Sequence, residues 1–280
     1  MILKVAVPNK GILSDASIAM LAEAGYETRR DSKELHLVDK VNQVEFFYLR
    51  PKDIATYVGK GTLDAGITGL DLLLDGDSNA EVVSDLEFGG SHLALAAPNG
   101  DKKKLTDFDG MRIATAYQNL TASLLKKQGI SAELVKLDGA VENAVILGVA
   151  DAVVDVVSTG NTLRRAGLEI VEEPLMHSTA QLIASPGKKE QAAGLLRRLE
   201  GVLVARKYVI FDFDCPVELL DKASAITPGF ESPTVSPLQD KNWVAVRALV
   251  LASETNQKLD ELQNLGAKAI LVSEIHAARI

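Results

Sequence analysis

The sequence has one cysteine, Cys215, so neither an intrachain disulfide nor a cysteine-based metal site is open to it. It has no apolar run of about eighteen residues, the length a membrane-spanning helix needs. The opening MILKVAVPNKGIL holds too short an apolar run for an export signal, since proline and glycine interrupt it, and the expected location is the cytoplasm. Basic residues are in deficit, 30 against 38 acidic, and a formal charge of −8 repels nucleic acid. No GxGxxG or Walker sequence is present, and the four histidines, His36, His92, His177 and His276, match no metal-ligand spacing. There is no internal repeat and no low-complexity linker. The lysine run Lys102–Lys104 reads as a solvated loop.

What is present is an ordinary globular composition, 47% apolar and 24% charged over 280 residues, enough for about two domains with cores of their own. Short apolar runs alternate with amphipathic segments. Strands are expected at Leu3–Val7, Val44–Leu49 and Leu63–Thr68, with Ser14 capping the first helix and Pro51 opening the second. The pattern restarts at Met111–Ala116 and runs through Ala132–Leu137 and Ala152–Val157. The β-type runs Ser91–Ala97 and Ser178–Ala184 bracket this middle block and read as paired crossings between two βαβ lobes. After a long helix, Lys188–Val204, the order changes to β-α-β-β-α-β. The expected fold is therefore α/β: a two-lobed, periplasmic-binding-protein-like core followed by a ferredoxin-like domain. Residues 1–92 with 176–205 form the first lobe, 93–175 the second, and 206–280 the C-terminal domain.

Three strand ends carry charge. Pro8-Asn9-Lys10-Gly11 follows the first strand, Arg50-Pro51-Lys52 the second, and Gly69-Leu70-Asp71 the third. In an open parallel sheet ligands lie beyond the carboxyl ends of the strands, so these residues make a local positive pocket for an anion. Each alone is an ordinary surface turn. A fourth stretch, ADAVVDVVSTGNTL, places two aspartates in a buried strand and then opens into hydroxyls and a glycine before a helix. Free N–H groups at a helix start suit a phosphate, and Asp155 suits sugar hydroxyls. The same residues also read as a plain turn with Thr162 as helix cap, and Asp151 as a turn residue.

The segments VAVPNKG, FFYLRPKDIATYVGKGTLDAGITGLDLL, ADAVVDVVSTGNTL and ITPGFESPTVSPL, in this order, resemble the long form of the ATP phosphoribosyltransferase family over essentially the whole chain. The resemblance implies attack of adenine N1 of ATP on the anomeric carbon of phosphoribosyl pyrophosphate (PRPP), the first step of histidine biosynthesis. It also implies Mg²⁺ held mainly by substrate phosphates, feedback inhibition by histidine, and a homo-oligomer, dimer to hexamer. By the match, Lys10 and Asp155 carry catalytic roles. Ser158, Thr159, Gly160, Asn161, Thr162 and Leu163 hold PRPP, while Arg50, Lys52, Gly69 and Asp71 line the nucleotide side. Asp214, Ser232, Thr234 and Ala269 match the histidine-binding region. Many members carry an arginine near position 12, where this chain has Ile12, and alanine is frequent at Asn161.

Two other readings compete. A solute-binding module shares the two-lobed pattern but calls for export. A ligand-sensing domain of a transcription regulator calls for a DNA-binding segment, and none is visible.

Overall fold

Strand β1 (Leu3–Pro8) is buried continuously from Val5 to Pro8, as a strand in the middle of a covered sheet must be. The computed structural model describes residues 2–29, 31, 33–100, 104–157 and 160–279. They divide into two units, residues 1–22 with 26–196 and residues 23–25 with 197–280.

In the first unit β1 leads to α1 (Ile12–Glu23), β2 (His36–Asp39), β3 (Val44–Leu49) and α2 (Pro51–Gly59). Then come β4 (Ala65–Gly69), α3 (Leu70–Asp75) and β5 (Glu81–Asp85). The chain next enters a second sheet with β6 (Ser91–Pro98), β7 (Arg112–Thr115), α4 (Gln118–Lys127), β8 (Glu133–Lys136) and α5 (Asn143–Ile146). That sheet is completed by β9 (Ala152–Val157), β10 (Leu168–Ile170) and β11 (Met176–Ser178), with α6 (Asn161–Arg165) between β9 and β10, before β12 (Ala180–Ala184) returns to the first sheet; α7 (Ala193–Lys207) begins in the first unit and lies mostly in the second. The first sheet is ordered β2-β3-β1-β4-β12-β5, the second β10-β6-β9-β7-β8 with β11 also on β6. Both are mixed: β1 is parallel to β3 and β4, β7 is parallel to β8 and β9, and the returning strands are antiparallel. The two crossings touch each other, Ala180 N–H donating to Phe88 O and Leu86 N–H to Ala180 O, each at 2.9 Å.

Local chemistry accounts for these elements. In β3 the alternation of VEFFYL turns Val44, Phe46 and Tyr48 inward. Gly66 in β4 is required by close approach, because a Cβ there would stand 2.8 Å from Ile54 of α2. The sequence pattern did not disclose β2 and β5. Both are short edge strands of the first sheet, with half-exposed, charge-bearing residues that read as loop. Ser14 is not a cap: α1 begins at Ile12, and buried Ser14 Oγ accepts from Arg29 Nη2 at 3.0 Å. The helix expected over Ala140–Leu147 shortens to Asn143–Ile146. Lys102 and Lys103 lie outside the described residues.

The second unit contains β13 (Tyr208–Pro216), α8 (Leu220–Ile226), β14 (Thr234–Pro237), β15 (Trp243–Leu251), α9 (Thr255–Leu265) and β16 (Lys268–Glu274). Its antiparallel sheet is ordered β14-β15-β13-β16, the ferredoxin-like arrangement expected. Alternate residues of β13, Phe211, Phe213 and Cys215, pack with Ala223, Val246 and Leu262. The sole cysteine is thus a core residue, and burial pushes its thiol pKa up.

Gly66→Ala tests the packing of α2 on β4. It should destabilise the protein by about 1–3 kcal/mol through overpacking, read as a lower melting temperature; an unchanged melt would contradict the close approach.

Candidate active site

Since β3, β1 and β4 are parallel neighbours, Lys10, Arg50, Lys52 and Gly69–Asp71 emerge at one edge of the first sheet. Each strand feeds directly into a helix. Gly11, at φ 79°, turns the chain into α1. Arg50 is extended and precedes Pro51 at the first position of α2, and Gly69 occupies the same place before α3. The starts of α1 and α2 therefore bring free N–H groups to this edge, whereas at the start of α3 the Leu70 and Asp71 N–H groups are already taken by Thr179 O and Ser178 Oγ. Lys10, Arg50 and Lys52 are exposed, and among the described residues none is held in an ion pair. Beside them, Asn9 Oδ1 is the one buried side-chain polar atom without a hydrogen-bond partner among the described residues.

Asp71 behaves differently. It is 6% exposed. Its N–H donates to Ser178 Oγ at 3.1 Å, and Ser178 Oγ donates to its Oδ1 at 2.6 Å. The carboxylate is thus committed inside the protein, tying α3 to β11. Gly69 is fixed by the same side chain, because a Cβ there would run into Asp71 Oδ1.

On the second sheet β7 and β9 are parallel neighbours, so Tyr117 and the carboxyl end of β9 share an edge. The Asp155 pKa is raised, chiefly by burial, with an N–H bond from Val156 opposing the shift and the Glu142 charge adding to it. Asp155, Glu142, Gly160, Asn161, Thr162 and Leu163 line a cavity of about 280 Å³. Gly160 adopts φ 71° at the start of α6, a conformation that favours glycine. Asn161 Oδ1 accepts from Arg164 Nη2 at 2.6 Å. Leu163 sends its side chain into the core with Val141, Ala144 and Val157. Ser158 and Thr159 lie outside the described residues. The other aspartate of this stretch, Asp151, precedes β9, pairs with Arg112 at 2.8 Å and accepts the Arg112 N–H.

Tyr117 joins the two edges. Burial, then the charges of Asp71 and Asp155 and a hydrogen bond to Asp71, push its phenol pKa far up. Tyr117, Glu142 and Ser178 were not picked out from sequence. The strand-end argument that finds Lys10 would also have found Tyr117, two residues beyond β7. Glu142 and Ser178 carry no comparable local signal.

In the second unit Asp214 stands opposite Ala245 and Lys268, and Ala269 follows Lys268 with φ 49°. Asp214, Asp240, Trp243 and Lys268 line a cavity of about 450 Å³, with Lys268 Nζ 5.0 Å from the Trp243 ring centroid. Thr234 pairs with Arg247 on the far side of β15, and exposed Ser232 precedes it, so one chain does not gather all four expected residues into one pocket. Among the described residues no three His, Cys, Asp or Glu side chains converge as a metal cage. Nor is any described helix long and apolar enough to cross a membrane.

Fold and site together define a two-lobed α/β protein of the periplasmic-binding-protein type, with cationic strand ends on one sheet and a carboxylate-and-glycine pocket on the other. Its likeness to Tv2483 bound to L-arginine, 12% identical at a TM-score of 0.50, supports that fold alone. Residues 50–201 match HisG, ATP phosphoribosyltransferase, and residues 205–277 match HisG, C-terminal domain. An ATP phosphoribosyltransferase of Arthrobacter sp. (strain FB24) is 56% identical over 285 aligned positions, covering 99% of this chain and 100% of the relative. The ATP phosphoribosyl transferase (HisG:HisZ) complex from Thermotoga maritima includes a chain 29% identical at a TM-score of 0.61, covering 71% of this chain and 97% of that one. The chain belongs to the ATP phosphoribosyltransferase family, in the long form that carries the C-terminal domain.

Asp155 supports a pH prediction. Its folded pKa is raised, so the native state binds its proton more tightly than the unfolded chain does. Stability then falls as pH rises from the ordinary carboxylate range through the raised value, and levels off above it. Asp155→Asn should therefore stabilise the protein at neutral pH but not at acidic pH, read by denaturant titration at both. A variant no more stable than wild type at neutral pH would contradict the strained carboxylate.

Proposed function

We propose that this enzyme holds PRPP on the second sheet and ATP on the first. Adenine N1 forms a bond to the anomeric carbon of PRPP as the bond to pyrophosphate breaks, giving phosphoribosyl-ATP. The observation that carries this reading is the cavity shared by Asp155 and Gly160–Leu163, which offers a carboxylate for ribose hydroxyls beside backbone N–H groups for the 5-phosphate. Ser158 and Thr159 precede Gly160 in sequence and would add their hydroxyls. Lys10, Arg50 and Lys52, free of ion pairs among the described residues, would neutralise the triphosphate and the departing pyrophosphate. No strong base is required, since adenine N1 is already nucleophilic. Rate acceleration then rests on alignment of two polyanions and on charge stabilisation at the leaving group. Asp71 would contribute by placing Gly69 and Tyr117, as its carboxylate is bound to Ser178.

Mg²⁺ fits a site of this kind. It keeps waters and binds through phosphates with one or two carboxylates, and Asp155 and Glu142 are the carboxylates this cavity offers. When bound it would offset charge on the pyrophosphate.

The second unit is proposed to bind histidine, with the Asp214 carboxylate meeting the α-amino group. Because Ser232 and Thr234 stand beyond β15, contact with all four residues calls for a second copy of the domain, in keeping with a homo-oligomer. A cytoplasmic location follows for an enzyme using ATP and PRPP.

The test is one assay of purified protein with ATP, PRPP and Mg²⁺, following phosphoribosyl-ATP with and without histidine. Product should form and histidine should suppress it, while Asp214→Ala should keep most of the activity and lose the inhibition. Equal inhibition of variant and wild type would remove Asp214 from the regulatory site, and absence of product would overturn the catalytic reading.

A further inference from the structure

Helix α4 has no acceptor of its own at its start. Tyr117 occupies the N-cap position and makes no side-chain capping bond, yet an N-terminus leaves backbone N–H groups in need of partners. The missing acceptor comes from the other sheet. Asp75, the last residue of α3, accepts from Asn119 N–H at 3.0 Å and from Leu120 N–H at 3.1 Å through a single oxygen, Oδ1. Asn119 answers with its side chain, Nδ2 donating to Asp75 O at 2.9 Å.

Each end of this contact is rooted in its own core. Leu73 of α3 is buried with Ile54, Val58 and Ile183 of the first sheet's layer, and Leu120 and Leu125 of α4 are buried with Leu93, Ile113 and Val154 of the second. Asp71 and Asp75 are one helical turn apart, so they share a face of α3. Asp71 bonds Ser178 while Asp75 bonds α4. The two carboxylates thus pin α3 to the second sheet at two points.

We infer that Asp75 is a positioning residue for the transfer reaction: a cap supplied to α4 from across the sheets, which fixes the separation between the cationic strand ends and the Asp155 pocket. The inference rests on the substrate placement proposed above, because a clasp of this kind matters most when the reacting atoms are held by different sheets. The geometry requires an acceptor oxygen at position 75, not a negative charge.

That distinction makes it testable in the full-length enzyme. Asp75→Ala removes the acceptor and should lower kcat about tenfold with KM for ATP and for PRPP within about threefold, since each substrate keeps its own contacts while alignment is lost. The Asn119 and Leu120 amides should exchange hydrogen about tenfold faster in that variant. Asp75→Asn retains an acceptor, and asparagine caps helices as well as aspartate, so its kcat should stay close to wild type. Asp75→Asn as impaired as Asp75→Ala would overturn the proposal in favour of a role for the charge, such as contact with Mg²⁺. Wild-type kcat in Asp75→Ala would overturn it as well, and so would unchanged exchange at Asn119 and Leu120. The exchange measurement reads the clasp alone, so it separates failure of this inference from failure of the substrate placement. Should Asp75→Ala fail to fold, Asp75→Asn still decides between acceptor and charge.

Discussion

The buried contact between Ser178 and Asp71 governs the arrangement of the first unit. The chain leaves the first sheet after β5 and comes back at Thr179, so residue 178 is the last of one sheet and residue 180 the first of the other. At that point Ser178 Oγ donates to Asp71 at 2.6 Å, Leu70 N–H donates to Thr179 O, and Thr179 Oγ1 donates to Asp85. A buried carboxylate without such partners would be costly, so the return of the chain and the start of α3 stabilise one another. Gly69 and Asp71 hold their places at the strand edge because of this network, and Tyr117 is drawn to it from the second sheet.

A chain with a formal charge of −8 must create its own attraction for anionic substrates. It does so by topology. Parallel β1, β3 and β4 end together, and the turns after them carry Lys10, Arg50 and Lys52 beside three helix starts. The opposite edge carries carboxylates, Asp155 and Glu142, suited to hydroxyl groups rather than phosphates. On the proposed placement the 5-phosphate would be left to the backbone from Gly160 into α6. On that placement, segregating the two chemistries on two sheets would give each substrate its own subsite and leave alignment to the contacts that join the sheets.

Much of this was legible in the residues themselves. The continuous apolar run of β1, the alternation of β3 and the β-α-β-β-α-β order of the C-terminal domain follow from period and turn chemistry, and the strand-end rule placed Lys10 and Arg50 at one edge. Family resemblance then attached chemistry to those positions. What escaped was non-local. Edge strands β2 and β5 form only because a partner strand is present, and their own residues are too polar to announce them. Ser14 looks like a cap in sequence but serves Arg29, fifteen residues later. Asp71 looks like a cleft residue but pairs with a serine 107 positions away. Tyr117, flanked by no motif, matters through carboxylates from both sheets.

On the proposed placement the two substrates occupy separate subsites, PRPP at Asp155 and ATP at the cationic strand ends. Calorimetric titration of each substrate alone into Asp155→Asn and wild type tests it most directly. Loss of the bonds to an ionised carboxylate should weaken PRPP about tenfold or more and leave the ATP affinity unchanged. Equal weakening of both, or of neither, would overturn this placement of the substrates.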